Sequence, residues 1–198
     1  MTIHAPVHKL GVAVLRIGVG IIFLWAGLDK LLGSGPNGFS AAGFLAHATG
    51  GTLGWPFVTG PAADGTIYNP THAFWVSLSQ NAAAMSVVNS LVVFGELAIG
   101  LCLVLGLATR FAAAMGTLMM LFFFVAAWEF SNGIVNQHLT YALICATIAG
   151  LGAGKYYGLD AIISDRFPAA VRRYLLSGDV PAPVAPEVGA PAGVPATA

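Results

Sequence analysis

Charge is scarce in this sequence. Only eight Lys+Arg and eight Asp+Glu occur in 198 residues, so charged residues make up 8%, against roughly a quarter in an ordinary soluble domain. That scarcity excludes a typical soluble domain, a coiled coil and a charge-rich disordered chain. The net charge is zero, and with no basic surplus to neutralise phosphates, nucleic acid is not an expected partner. Cysteine is nearly missing too. Cys102 and Cys145 share no C-x-x-C spacing and lie in apolar runs, which argues against a disulfide or metal framework and for packing as small hydrophobes. What the chain has instead is apolar mass: 57% hydrophobic residues and a mean hydropathy of +0.81. This is the composition of an integral membrane protein.

Four apolar runs, at about 10–32, 83–107, 111–128 and 137–154, match or approach the length needed to cross a bilayer. Backbone in lipid must satisfy its own hydrogen bonds and no alternating strands are present, so the runs are read as helices. The expected fold is all-α, a polytopic four-helix transmembrane bundle over residues 1–157. The first run is too long for a cleaved signal peptide and reads as a retained anchor. Lys9 precedes run one, Arg110 occupies the turn between runs two and three, and Lys155, Arg166, Arg172 and Arg173 follow run four. The connections at 33–80 and 129–136 contain no Lys or Arg. By the positive-inside rule both termini are cytoplasmic and the long loop faces outward, with the cell membrane as location.

The loop at 33–80 is rich in aromatics, among them Phe39, Phe44, Trp55, Phe57, Tyr68, Phe74 and Trp75. It reads as a cap on the bundle or as a lid or docking surface. A short interfacial helix is expected over 70–78, with Phe74 and Trp75 in the aromatic belt. Residues 158–177 form an amphipathic cytoplasmic segment split by Pro168, suited to the membrane surface. Residues 178–198 are a Pro/Ala-rich tail expected to be disordered.

The glycines before Lys155 mimic a phosphate loop, but Ala149 and Tyr156 stand where Gly and Ser or Thr are needed. None of His4, His8, His47, His72 and His138 lies deep in a run, so haem held between helices is not expected. His4 and His8 have i,i+4 spacing, with Pro6 between them disfavouring a helix, and they lack the closed ligand set of a metal site. No flavin, nicotinamide or iron–sulfur motif occurs.

Ionisable residues within the runs remain, and these are functional candidates by default. Glu96 lies near the middle of run two, and Arg16 about two turns into run one. Either the two form a buried pair or Glu96 is protonated, or Glu96 exchanges protons with a bound quinone, with Arg16 tuning the site. Asp29 and Lys30 end run one, Glu129 ends run three, and Gln137 and His138 open run four. With Trp55 of the loop, Asp29, Lys30, Glu129 and His138 are candidates for a substrate- or quinone-binding site in the outer leaflet. Interfacial anchoring is the competing role for the charged three.

The segments Leu15-Arg16-Ile17-Gly18, Gly27-Leu28-Asp29-Lys30, Gly95-Glu96-Leu97 and Gly106-Leu107-Ala108-Thr109-Arg110 together resemble the DoxX/DoxD-like membrane protein family. That family has an Arg-bearing first helix ending in G-x-x-K and a GE-containing second helix ending in a G-L-x-T-R turn. Arg16, Lys30, Glu96 and Arg110 match by position, over about residues 10–160. The resemblance implies a four-helix bundle serving as a membrane subunit of a quinone-linked oxidoreductase, thiosulfate:quinone oxidoreductase being one setting. Quinone is the implied cofactor, and a protein subunit, the bilayer and a second copy of the chain are the implied partners. A non-catalytic scaffold for a redox or oxidative-stress complex is the alternative, with a small-solute carrier behind it, since no discontinuous helix pair or internal repeat is seen.

Overall fold

A computed structural model describes residues 5–34, 38–47, 69–128 and 135–177. Trp55, Glu129, His4, most of the long loop and the tail at 178–198 lie outside the described residues. All regular structure among the described residues is helical. The order is α1 (Ala5–Gly33), α2 (Ala42–His47), α3 (His72–Gln80), α4 (Ala82–Leu105), α5 (Thr109–Ala127), α6 (Gln137–Leu151), α7 (Asp160–Ile163) and α8 (Ala169–Tyr174). Among the described residues, α1, α4 and α5 are long and apolar enough to cross a membrane, and α6 is a shorter apolar helix.

The helix ends follow local chemistry. Asn81 and Asn136 cap α4 and α6, their side-chain oxygens accepting from Ala84 N and Leu139 N at 3.0 Å. Gly106 (φ 68°) and Gly152 (φ 57°) end the same two helices in the left-handed region. The second of these explains why α6 stops at Leu151 and the expected run to 154 finishes in a tight turn at Ala153–Lys155. The helix disfavoured around Pro6 does form, since α1 starts at Ala5. A proline in the first turn lacks an N–H that would be unpaired there anyway.

Polarity is inverted relative to a soluble protein. Trp25 (73% exposed), Leu32 (78%), Leu91 and Phe122 point outward from the long helices. Arg16, Glu96, Thr109 and Asp160 are buried. Such a surface is stable only against lipid, so the helices associate with a bilayer.

α1 packs along α4 and α5 along α6, and the contact between α4 and α5 is narrower. A core of Val19, Phe23, Ile99, Leu103, Met120 and Ile148 joins the four helices. Buried Cys145 belongs to that core, and half-buried Cys102 packs against it. At the Lys30 end, α2 and α3 cover the bundle through Ala41, Leu45, Trp75, Met85 and Ala126. The helix expected over 70–78 is α3, but Trp75 is buried in this cap, and only Phe74 is exposed as a belt residue would be. The Trp75 indole N–H donates to Thr71 Oγ1 at 2.8 Å, so its polar edge has no need of the interface.

α1 and α4 approach closely because glycines meet. A Cβ on Gly100 would strike the Leu24 backbone and lie 2.8 Å from the Gly20 carbonyl oxygen. Backbone cannot move aside as a side-chain tip can. Gly100→Val is therefore expected to destabilise the protein by about 2–3 kcal/mol, read as a lower unfolding temperature in detergent. A variant melting within 1 °C of the wild type (roughly a quarter of a kcal/mol) would show that this crossing carries little of the stability.

Candidate functional site

The candidate site grows from the α1–α4 contact. Lys30 sits in the last turn of α1 and Glu96 midway along α4. Lys30 Nζ donates to both Glu96 carboxylate oxygens, at 2.8 and 3.0 Å, and approaches the Ala26 carbonyl at 3.4 Å. Phe39 lies 5.6 Å from the ammonium, ring face toward it. The Glu96 side chain is 4% exposed and that of Lys30 is 24% exposed.

Helix geometry explains why these two meet. Side chains lean toward the N-terminus of their own helix. α1 and α4 run in opposite directions, so Lys30 leans into the bundle and Glu96 leans up toward Lys30. Gly27, one turn earlier, lies against Leu97, with no room for a Cβ. The backbones are therefore close at this level.

By the same rule Arg16 leans away from Glu96, and the structure does not pair them. Arg16 is fully buried in the N-terminal half of α1. Its Nη2 donates to the carbonyl of Tyr157 at 3.2 Å and that of Tyr156 at 3.5 Å. A Cβ at Gly106 or Gly158 would collide with its Nη1. The charge nearby is Asp160, which acts on Arg16 electrostatically.

Asp160 is the residue that sequence reasoning missed. It is fully buried, and its carboxylate accepts from the backbone N–H groups of Ala108 (2.8 Å), Thr109 (3.0 Å) and Ser177 (3.1 Å). Its own N–H donates to the Gly106 carbonyl at 2.8 Å. Asp160 thus caps α5 from 51 residues away, a position where Ala108 offers no side-chain cap. The available signal was the uncapped Gly106–Arg110 turn, whose N–H groups require an acceptor from elsewhere. Arg110 closes the same knot by donating to the Arg173 carbonyl.

The remaining candidates separate. Asp29 is exposed beside the pair. His138 meets the rings of Phe123 (5.8 Å) and Phe44 (6.5 Å) edge to face. These two aromatics belong to an apolar groove of about 520 Å³ between α4 and α5, roofed by α2 and α3. Val92, Gly95, Ala98 and Met119 are among the residues that line it. Glu96 follows Gly95 in sequence but turns toward α1.

A family model described as DoxX matches residues 11–129. The chain belongs to the DoxX family. No curated protein and no solved structure gives a significant match. The DoxX match runs from within α1 to just past the end of α5, and so includes Arg16, Lys30, Glu96, Arg110 and every residue lining the groove. Asp160 lies beyond the matched residues.

Proposed function

We propose that this DoxX-family chain is a membrane subunit of a quinone-linked oxidoreductase, receiving electrons from a partner protein and placing a quinone at the Lys30–Glu96 level. The observation that carries the reading is a buried ion pair held within membrane-spanning helices, a costly arrangement that usually marks function. The groove supports it. Its volume lies within the range of small-molecule sites, roughly 300–1,000 Å³, and its walls suit an isoprenoid tail. They offer little to a quinone's carbonyl oxygens, so a donor must come from elsewhere, and Lys30 Nζ, on the α1 side of α4, is the group we assign to that role. Quinone, when bound, supplies two-electron, two-proton redox chemistry. Lys30 would donate a hydrogen bond to its headgroup. Glu96 would hold a proton at its carboxylate and keep Lys30 oriented. The aromatic roof would exclude water.

In this reading α6 is a fourth span, lengthened by the turn at Ala153–Lys155. Both termini and the Arg110 turn are cytoplasmic, by the Lys and Arg distribution, and the membrane is the cell membrane. Ala98→Trp tests the proposal, because it fills the groove without touching the ion pair. It is expected to weaken retention of native quinone at least about tenfold, the equivalent of roughly 1.4 kcal/mol. Quinone would be quantified after mild-detergent purification, with the unfolding temperature as control. Unchanged quinone content in a stable Ala98→Trp protein would remove the groove from the mechanism and favour the scaffold reading.

A further inference from the structure

A second cavity lies at the opposite, Arg110 end, and neither the ion pair nor the groove uses it. It measures about 530 Å³ and is lined by Lys9, Lys155, Tyr156 and Tyr157. Among the described residues that line it, two are cations and none is a carboxylate. We propose that this pocket binds the phosphodiester headgroup of an anionic phospholipid.

The pocket is built into the fold. Lys9 comes from the second turn of α1, and the other three residues from the chain leaving α6. The two segments are joined by the His8 ring edge-on to Tyr156 at 6.0 Å, and Lys155 Nζ lies 5.3 Å from the Tyr156 ring. Buried Arg16 holds the carbonyls of both tyrosines from behind. Tyr157 has φ 54°, a conformation a bulky residue adopts only when its surroundings impose it. That conformation accompanies an outward-facing, 70% exposed ring. Arg16 thus fixes a turn that places two tyrosines beside two lysines at the pocket, side chains able to donate to phosphate oxygens.

The surroundings point to a lipid as the source of the phosphate. Leu10 and Val14 are exposed on α1 just beyond Lys9, a track along which acyl chains can run. Ile162 and Tyr174 are exposed on the following segment, which also carries Arg166, Arg172 and Arg173. Such a basic amphipathic segment lies at headgroup depth, where basic pockets between helices take anionic headgroups.

The test uses the full chain in mild detergent, titrated with phosphatidylglycerol or phosphatidylcholine and read by native mass spectrometry and melting temperature. The wild type is expected to retain one phosphatidylglycerol in preference to phosphatidylcholine. Lys9→Gln/Lys155→Gln is expected to weaken that retention about 30-fold, from a factor of about five per basic residue. Lys9→Arg/Lys155→Arg keeps the charge and should preserve binding. Arg172→Gln/Arg173→Gln should leave it within about twofold, if the pocket rather than diffuse charge attracts the lipid. Equal retention by the Lys-to-Gln variant would overturn the proposal, as would an equal loss in the Arg172/Arg173 variant. Protection by inorganic phosphate with the same lysine dependence, but no preference for phosphatidylglycerol, would reassign the pocket to a soluble phosphate and also overturn it.

Discussion

Lys30→Met is expected to destabilise the protein by about 3 kcal/mol or more, and Glu96→Gln by clearly less. The asymmetry follows from where each partner sits. Without Lys30, the Glu96 carboxylate remains in the bundle at 4% exposure, and must either take up a proton or carry an uncompensated charge in lipid surroundings. Without the Glu96 charge, Lys30 still has the Ala26 carbonyl within 3.4 Å and stands at the end of α1, 24% exposed. Its stem is long enough to carry the ammonium to water. Removing both charges with Lys30→Met/Glu96→Leu should return stability to within about 1.5 kcal/mol of the wild type, since a buried pair can often be replaced by apolar residues of similar volume. The double variant therefore separates structure from function. If the pair manages protons at a quinone, this folded protein should lose quinone-linked turnover by about 10²-fold or more. Unfolding in detergent and turnover of the native complex measure the two effects. A stable double variant with full turnover would reduce the pair to a structural element.

Asp160→Ala is expected to cost about 3–5 kcal/mol, the range for breaking a buried charged network. Three backbone N–H groups lose their acceptor, and each buried unsatisfied donor is expensive. Arg16, buried behind the same turn, also loses the nearby negative charge. Asp160→Asn keeps one acceptor oxygen and should cost less. The loss is expected to show as a lower melting temperature and as faster proteolysis within 158–177, because Asp160 joins that segment to the α4–α5 turn through Ala108 and Thr109 and secures its far end through Ser177. An Asp160→Ala protein within about 0.5 kcal/mol of the wild type, the usual range for a surface change, would mean that water or other groups satisfy the turn.

Much of the candidate site could be read from one dimension. Glu96 and Lys30 stand out because charge within apolar runs is expensive, whatever the fold. Their partnership could not be read that way. Judged by depth along straight runs, Arg16 was the natural intramembrane partner for Glu96, whereas the packed helices give that role to Lys30. The lean of each side chain and the close approach at Gly20, Gly27 and Gly100 account for the difference. The position of His138 at the start of run four places it at the level of the charged residues, yet rotation of α6 sends it to Phe44 and Phe123.

By itself the sequence determined the lipid-embedded helical class, the long apolar helices, their capping Asn and terminal Gly residues, and which ionisable groups had to be accommodated. Those properties depend on local composition, on hydropathy summed over a helix and on backbone preferences of single residues. Only the tertiary structure decided that Lys30 neutralises Glu96, that Arg16 and Asp160 secure the opposite end, and that Trp75 is buried in the cap. Each of these contacts joins residues far apart in the chain. It depends on how two helices are rotated and how closely they cross, which no local pattern of residues specifies.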